Sequence, residues 1–207
     1  MLWTYALALI ASPVPAQDAQ PAPVASPAPA PATVRVAIET GEGRIVLELE
    51  KERAPITTAN FLRYVDGHRL DGIVFYRTVK VAPGFGFVQF GVQGAPKRVL
   101  PPIKHEPTSQ TDVHHTTGAI SLARLAPGTG RGEFTISVGD QRPSLDADPG
   151  KPGDNLGYAA FGHVVEGMDV VGRILDAPIA ADKGPFKGET IAAPVRVVSA
   201  RRVKTAE

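Results

Sequence analysis

The sequence predicts a mainly β domain, either a closed barrel or a sandwich, behind an extended N-terminal tail. Short β-prone runs recur along the chain, Gly- and Pro-rich loops separate them, and only two stretches carry helical periodicity. A barrel removes exposed sheet edges, which favours it for many short strands, but the pattern alone also fits a sandwich. At 207 residues with 43% apolar content, the chain can bury one ordinary core, so a single domain plus a tail is the simplest division.

Residues 1–16, MLWTYALALIASPVPA, hold no charged side chain, and their apolar run from Leu2 to Ala11 is too short to span a bilayer as a helix. Val14 and Ala16 are small residues placed as at a signal-peptidase cut before Gln17. The expectation is a removed signal peptide, a mature chain without membrane insertion, and a periplasmic or secreted location. The absence of cysteine excludes a lipid-anchored lipoprotein. Residues 17–33 form a Pro/Ala-rich tract with little to bury and few backbone donors, expected to be an extended, semi-rigid linker.

The folded domain is expected over 34–207. Val34, Val36 and Ile38 alternate with polar neighbours, Thr40-Gly41-Glu42-Gly43 makes a turn, and Ile45, Leu47 and Leu49 alternate again, which is a half-buried β-hairpin. A helix follows: Pro55 suits a first helical position, Thr58, Phe61, Leu62 and Val65 share a face, and Gly67 lies where a left-handed C-terminal residue is expected. After a central β-type stretch come strands near Ala119 to Ala123, Phe134 to Val138, Ala159 to Val165 and Val195 to Val198. Met168, Val171, Ile174 and Leu175 mark a second helix.

The central stretch, FYRTVKVAPGFGFVQFGVQG from Phe75 to Gly94, sets Arg77 among aromatic residues. An arginine keeps its proton and presents a flat, directional fork of donors, so Arg77 is suited to donating hydrogen bonds rather than to acid–base work. The alternative is a packed arginine paired with a carboxylate on the rim of the fold.

Together with PPIK at Pro101 to Lys104, GAISLAR at Gly118 to Arg124, GEFTISV at Gly132 to Val138 and GYAAFGHVVEGMDVV at Gly157 to Val171, this stretch resembles the cyclophilin family of peptidyl-prolyl isomerases, most of all its exported bacterial branch. The resemblance runs from about Val34 to about Val203, with the motifs in the family's order. It implies a closed eight-stranded antiparallel β-barrel capped by two α-helices. It also implies rotation of Xaa–Pro bonds in polypeptides without a cofactor, by a chain that assists protein folding as a monomer.

Residue by residue, the resemblance makes Arg77 the essential arginine and Gln93 the substrate-binding glutamine, with Phe90 opening the latter's motif. The spacing from Arg77 to Gln93 exceeds the common pattern; Gln89 is the rival, and an extra loop from Lys80 to Gly86 is expected to absorb the difference. Leu122 and Ala123 stand at a methionine–alanine pair, Glu133 at a glutamine, and Phe134 at the first of two aromatics. Thr135 replaces the second aromatic, which floors the proline slot, and Ser144 replaces another before Leu145. Tyr158 holds the place of a pocket histidine. Phe85, Phe87 or Phe90 are candidates to refill the altered slot.

Other chemistries find less support. A net charge of +1 with scattered basic residues leaves no footprint for nucleic acid. Zero cysteines exclude disulfides and thiol catalysis, and the five histidines lack zinc-type spacing, so no metal site is expected. Ser121, Asp140 and His163 supply triad residue types without a G-x-S-x-G elbow. The competing function is a non-catalytic or weakly active module of the same fold that binds proline-bearing segments, a reading favoured by Glu133, Thr135 and Ser144.

Overall fold

The computed structural model describes residues 30–92, 95–180 and 186–203. The signal-peptide reading of 1–16, most of the linker reading and Gln93 lie outside the described residues. From Pro31 onward the chain forms one compact unit.

Eight strands close into a barrel: β1 (Thr33–Thr40), β2 (Gly43–Glu50), β3 (Val74–Ala82), β4 (Phe85–Gly91), β5 (Ala119–Leu122), β6 (Glu133–Val138), β7 (Ala159–Glu166) and β8 (Thr190–Arg202). Their order around the barrel is β1-β2-β7-β5-β6-β4-β3-β8, with every neighbouring pair antiparallel. Closure decides between the two all-β architectures, because β8 pairs with β1 through one half and with β3 through the other. The inward residues of each strand, among them Val36, Ile38, Leu47, Phe75, Phe90, Ile120, Phe134 and Ile136, form a single apolar core.

Among the described residues two helices pack on this barrel as expected, α1 (Pro55–Asp66) and α4 (Met168–Leu175), and three short turns of helix join them: a 3-10 turn at Pro96–Arg98, α2 (Thr108–Thr111) and α3 (Arg142–Leu145). Helix α1 buries Phe61, Leu62 and Val65, and Phe61 meets Phe134 edge-on at 4.8 Å. Its N-terminus has no side-chain cap of its own. The carboxylate of Glu106, from a loop some fifty positions away, accepts from the backbone of Ile56 and Thr57 and from the Thr57 hydroxyl. Among the described residues no helix is long and apolar enough to cross a membrane.

Two local expectations are corrected. Gly67 is not left-handed: its φ is −83°, and the positive φ falls one residue later, on His68 at 54°. Glycine serves there through close approach, since a Cβ would lie 3.0 Å from the Arg63 carbonyl oxygen. Nor is Lys80 to Gly86 a loop. β3 continues to Ala82 and β4 starts at Phe85, so the extra residues lengthen a hairpin, with Lys80 opposite Gly86 and Ala82 opposite Phe85.

Candidate active site

Two adjacent rows of residues across β3, β4, β6 and β5 build the site. In one row Phe75 faces Phe90, Phe90 faces Phe134 and Phe134 faces Leu122. All four are buried in the core. In the next row Arg77 faces Gln89, Gln89 faces Thr135 and Thr135 faces Ser121. Neighbouring residues on a strand point to opposite faces, so this second row lies on the outside of the barrel.

On β3 simple alternation would send Arg77 to the same side as Phe75. The register shifts between these two residues, and the inserted Tyr76 turns Arg77 outward. Tyr76 shares that outer side, where its hydroxyl donates to Glu133 at 2.6 Å. Burial and this bond to a carboxylate both push the Tyr76 phenol well above the usual range.

The outer row floors an open cleft of about 660 Å3. Arg77, Ala123, Glu133, Thr135, Leu145 and Tyr158, all singled out in the sequence, line it. Phe90, Leu122 and Phe134 do not: they are 0%, 4% and 0% exposed and pack inside the barrel. Their expected substrate contacts are corrected by strand alternation, which gives the outer face to Gln89, Ser121 and Thr135. Of the aromatics considered as replacements for the missing ring, Phe87 lines the cleft, Phe85 packs on Gly139, and Phe90 stays in the core.

Arg77 sits against four groups. Its Nε donates to Glu189 Oε2 at 2.7 Å, and Nη2 lies 2.6 Å from the same oxygen. Nη1 donates to Gln89 Oε1 at 2.9 Å. The guanidinium carbon is 4.5 Å from the centre of the Phe186 ring and 5.5 Å from that of Phe87. Both sequence readings of this residue are therefore present at once, since the arginine faces the cleft and is also paired with a carboxylate. Gln89 stands beside it, and Gln93 lies outside the described residues.

The far wall is Arg124. It grips both oxygens of Asp154, donates through Nε to the Gly157 carbonyl at 3.0 Å, and lies 5.5 Å from the Tyr158 ring centre. That grip holds the Asp154 carboxyl down at about 2. Arg131 and Thr129 complete this side, and the exposed Leu125 stands at the rim. Asn60 of α1 steadies the approach to β6 by donating to the Arg131 carbonyl at 2.7 Å.

Sequence reasoning missed Phe186, Glu189 and the Tyr76 hydroxyl that bonds Glu133. Phe186 and Glu189 belong to a segment 186–189 without strand or helix periodicity, and they reach Arg77 from more than 100 positions away. The GPF and GET triplets of that segment carry no motif that separates them from an ordinary turn. Among the described residues no cluster of three or more His, Asp or Glu side chains is arranged to hold a metal ion.

Comparison with known proteins bears on this geometry. The family model for the cyclophilin type peptidyl-prolyl cis-trans isomerase/CLD matches residues 35–200. A peptidyl-prolyl cis-trans isomerase of Streptomyces antibioticus is 34% identical over 152 residues, covering 72% of this chain and 87% of that protein. Peptidyl-prolyl cis-trans isomerase A of Dickeya dadantii is 32% identical over 173 residues, covering 82% of this chain and 84% of its own length. A cyclophilin-type isomerase of Cryptosporidium parvum, crystallised in the presence of the dipeptide Ala-Pro, superposes with a TM-score of 0.66 at 18% identity, over 83% of this chain and 99% of that one. The last likeness speaks to the fold alone; the family model and the two bacterial relatives settle kinship, and this chain belongs to the cyclophilin-type peptidyl-prolyl cis-trans isomerase family.

Proposed function

We propose that the cleft binds an extended polypeptide at an Xaa–Pro bond and catalyses its cis–trans rotation. The carrying observation is the outward row Arg77–Gln89–Thr135–Ser121, which sets a directional cation on the floor of an open groove with aromatic walls. The uncatalysed barrier of ~18–20 kcal/mol comes from amide resonance that rotation must break. As the bond twists, the prolyl nitrogen regains its lone pair and becomes a hydrogen-bond acceptor, which it is not in the planar amide. A donor aimed at that nitrogen therefore binds the twisted state better than either planar one, and only such differential binding lowers the barrier.

Arg77 is that donor. Each of its terminal nitrogens carries two N–H groups and uses at most one on Gln89 or Glu189, so a donor remains on each. Phe87, Phe186, Leu145 and Ala123 offer apolar surface for the proline ring, a role the family gives partly to the aromatic that Thr135 replaces. Gln89 holds the glutamine role beside the arginine, and Glu133, Tyr158 and Arg131 flank the path of the peptide.

The same proposal places the protein in the cell envelope, as a periplasmic or secreted monomer that assists folding. The location rests on the residues of 1–16, and the mass of the protein recovered from an exporting cell tests it, since cleavage leaves Gln17 first.

The main test is isomerisation of a proline tetrapeptide, measured by exchange NMR with wild type and Arg77→Ala. Catalysis through Arg77 requires the variant to lose most of the rate enhancement; equal rates end the catalytic reading. A second reading is favoured by Thr135 at the slot floor and by the Arg77–Glu189 pair: a module that holds proline-bearing segments without turning them. Peptide binding with no rate enhancement by the wild type identifies it.

A further inference from the structure

An arginine side chain is long and flexible, and holding its fork in one orientation costs rotamer freedom. At the cleft the fork is held on three sides. Glu189 takes the Nε edge, Gln89 takes Nη1, and the Phe186 ring lies 4.5 Å from the guanidinium carbon. Phe186 also stacks on Tyr76, with ring centres 5.9 Å apart.

Glu189 is itself anchored to the strand that carries Arg77. Its backbone oxygen accepts from Thr78 at 2.9 Å, its N–H donates to the Phe186 carbonyl at 3.1 Å, and the next residue, Thr190, is the β8 partner of Arg77. The Thr190 hydroxyl donates to the same Phe186 carbonyl at 2.9 Å. The carboxylate, the ring and the arginine therefore form one clamp built on the β3–β8 ladder.

We infer that Glu189 is a positioning residue for catalysis. It fixes the plane of Arg77 so that the unspent N–H groups of the terminal nitrogens face the groove, with Phe186 closing one face of the guanidinium. This rests on the catalytic reading of Arg77 given above. The opposite possibility for so close a carboxylate is a brake that competes with the peptide for the same donors. The clamp argues against it, because Glu189 takes Nε and a single N–H of Nη2, which leaves a second N–H on each terminal nitrogen, and its backbone is tied into the ladder.

The test uses Glu189→Ala and Glu189→Gln in wild-type and Arg77→Ala backgrounds, with isomerisation rate, peptide dissociation constant and melting temperature measured for each. Loss of orientation should lower kcat about tenfold or more, while peptide affinity and melting temperature change little. Glu189→Gln keeps an acceptor oxygen and should recover part of the loss. In the Arg77→Ala background neither change should lower the rate further, a non-additivity that general destabilisation does not produce.

The two readings fail separately. If Arg77→Ala matches wild type, the catalytic role of the arginine falls and this inference with it. If Arg77→Ala is inactive while both Glu189 variants are as fast as wild type or faster, the positioning role alone is overturned. Should Glu189→Ala fail to fold, Glu189→Gln decides. The role requires a lower rate together with faster solvent exchange of the Arg77 Nε proton by 15N NMR, and an unchanged rate overturns it.

Discussion

Glu106 is the residue whose removal should most damage the scaffold without touching the cleft. Its side chain is only 1% exposed, and its carboxylate satisfies two backbone N–H groups and one hydroxyl at the start of a helix that has neither a side-chain cap nor an acidic residue in its first turn. Glu106→Ala leaves those donors unpaired, the two of Thr57 fully buried, removes a negative charge from the positive end of the helix, and opens a cavity. Hydrogen bonds to a charged group contribute about 1.5–3 kcal/mol each and are not fully additive, so the combined loss should be about 3–5 kcal/mol. Against an ordinary stability of about 5–15 kcal/mol, that is a large share. For a domain of this size it corresponds to a fall of about 6–20 °C in melting temperature. Glu106→Gln keeps the shape and one acceptor but turns an amide N–H2 toward a donor, and should cost about 1–3 kcal/mol. Thermal and urea unfolding read both variants, and hydrogen exchange at the Ile56 and Thr57 amides reports the cap directly. If Glu106→Ala melts within about 2 °C of wild type, the reasoning that this remote carboxylate secures α1 is wrong.

Two further predictions concern the cleft and its neighbourhood. Thr135→Phe restores a ring to the slot floor and should tighten binding of proline peptides by up to about 1 kcal/mol. It also strands the hydroxyl of Ser121, which is 1% exposed and lies 2.8 Å from the Thr135 hydroxyl, at a cost of about 1–3 kcal/mol in stability. Adding Ser121→Ala should recover that stability; unchanged melting in the single variant would refute the pairing. Next to Leu145, Asp146 bonds to both His114 and His115 at 2.6 Å, and His114 also reaches Asp112. Its bond to Asp146, and then that to Asp112, hold the His114 imidazolium pKa above its ordinary 6.5. Burial works to raise the Asp146 carboxyl, but the bonds from His115 and His114 outweigh it and leave it at about 2. The His114 contribution is thus complete below the unfolded value of 6.5 and disappears as pH rises through the higher folded value. The Asp146 share is present above its unfolded value of 3.8 and is lost as pH falls toward 2. The gap in melting temperature between wild type and His114→Ala should therefore be widest at about pH 4–6 and close on the alkaline side, and a gap independent of pH would contradict the assignment.

Much of the architecture was legible in the amino acids because it follows from local rules. Alternation marked the β1–β2 hairpin, Pro55 and the Phe61/Leu62/Val65 face marked α1, and the Met168 to Leu175 face marked α4. The length of β8 was not legible. Four of its residues, Ile191 to Pro194, depart from the β3 ladder, and Ile191 and Ala192 pair instead with the Pro178–Ile179 segment.

The site divides along a similar line. That position 77 carries a permanent, planar donor among aromatic residues, and that Thr135 removes a ring, are matters of composition at given positions. Which side of the sheet those residues face depends on register, and register is a property of paired strands. The extra Tyr76 on β3 reverses the alternation and brings Arg77 to the outer surface, while the lengthened hairpin sets Gln89 opposite it and the unbroken alternation of β4 and β6 keeps Phe90 and Phe134 inside. Likewise Glu189 and Phe186 meet Arg77 only because β8 closes the barrel against β3. The chain alone specified the chemical groups; barrel closure and one inserted residue decided which of them share a cleft, because a shift of a single position in a strand exchanges the inner face for the outer.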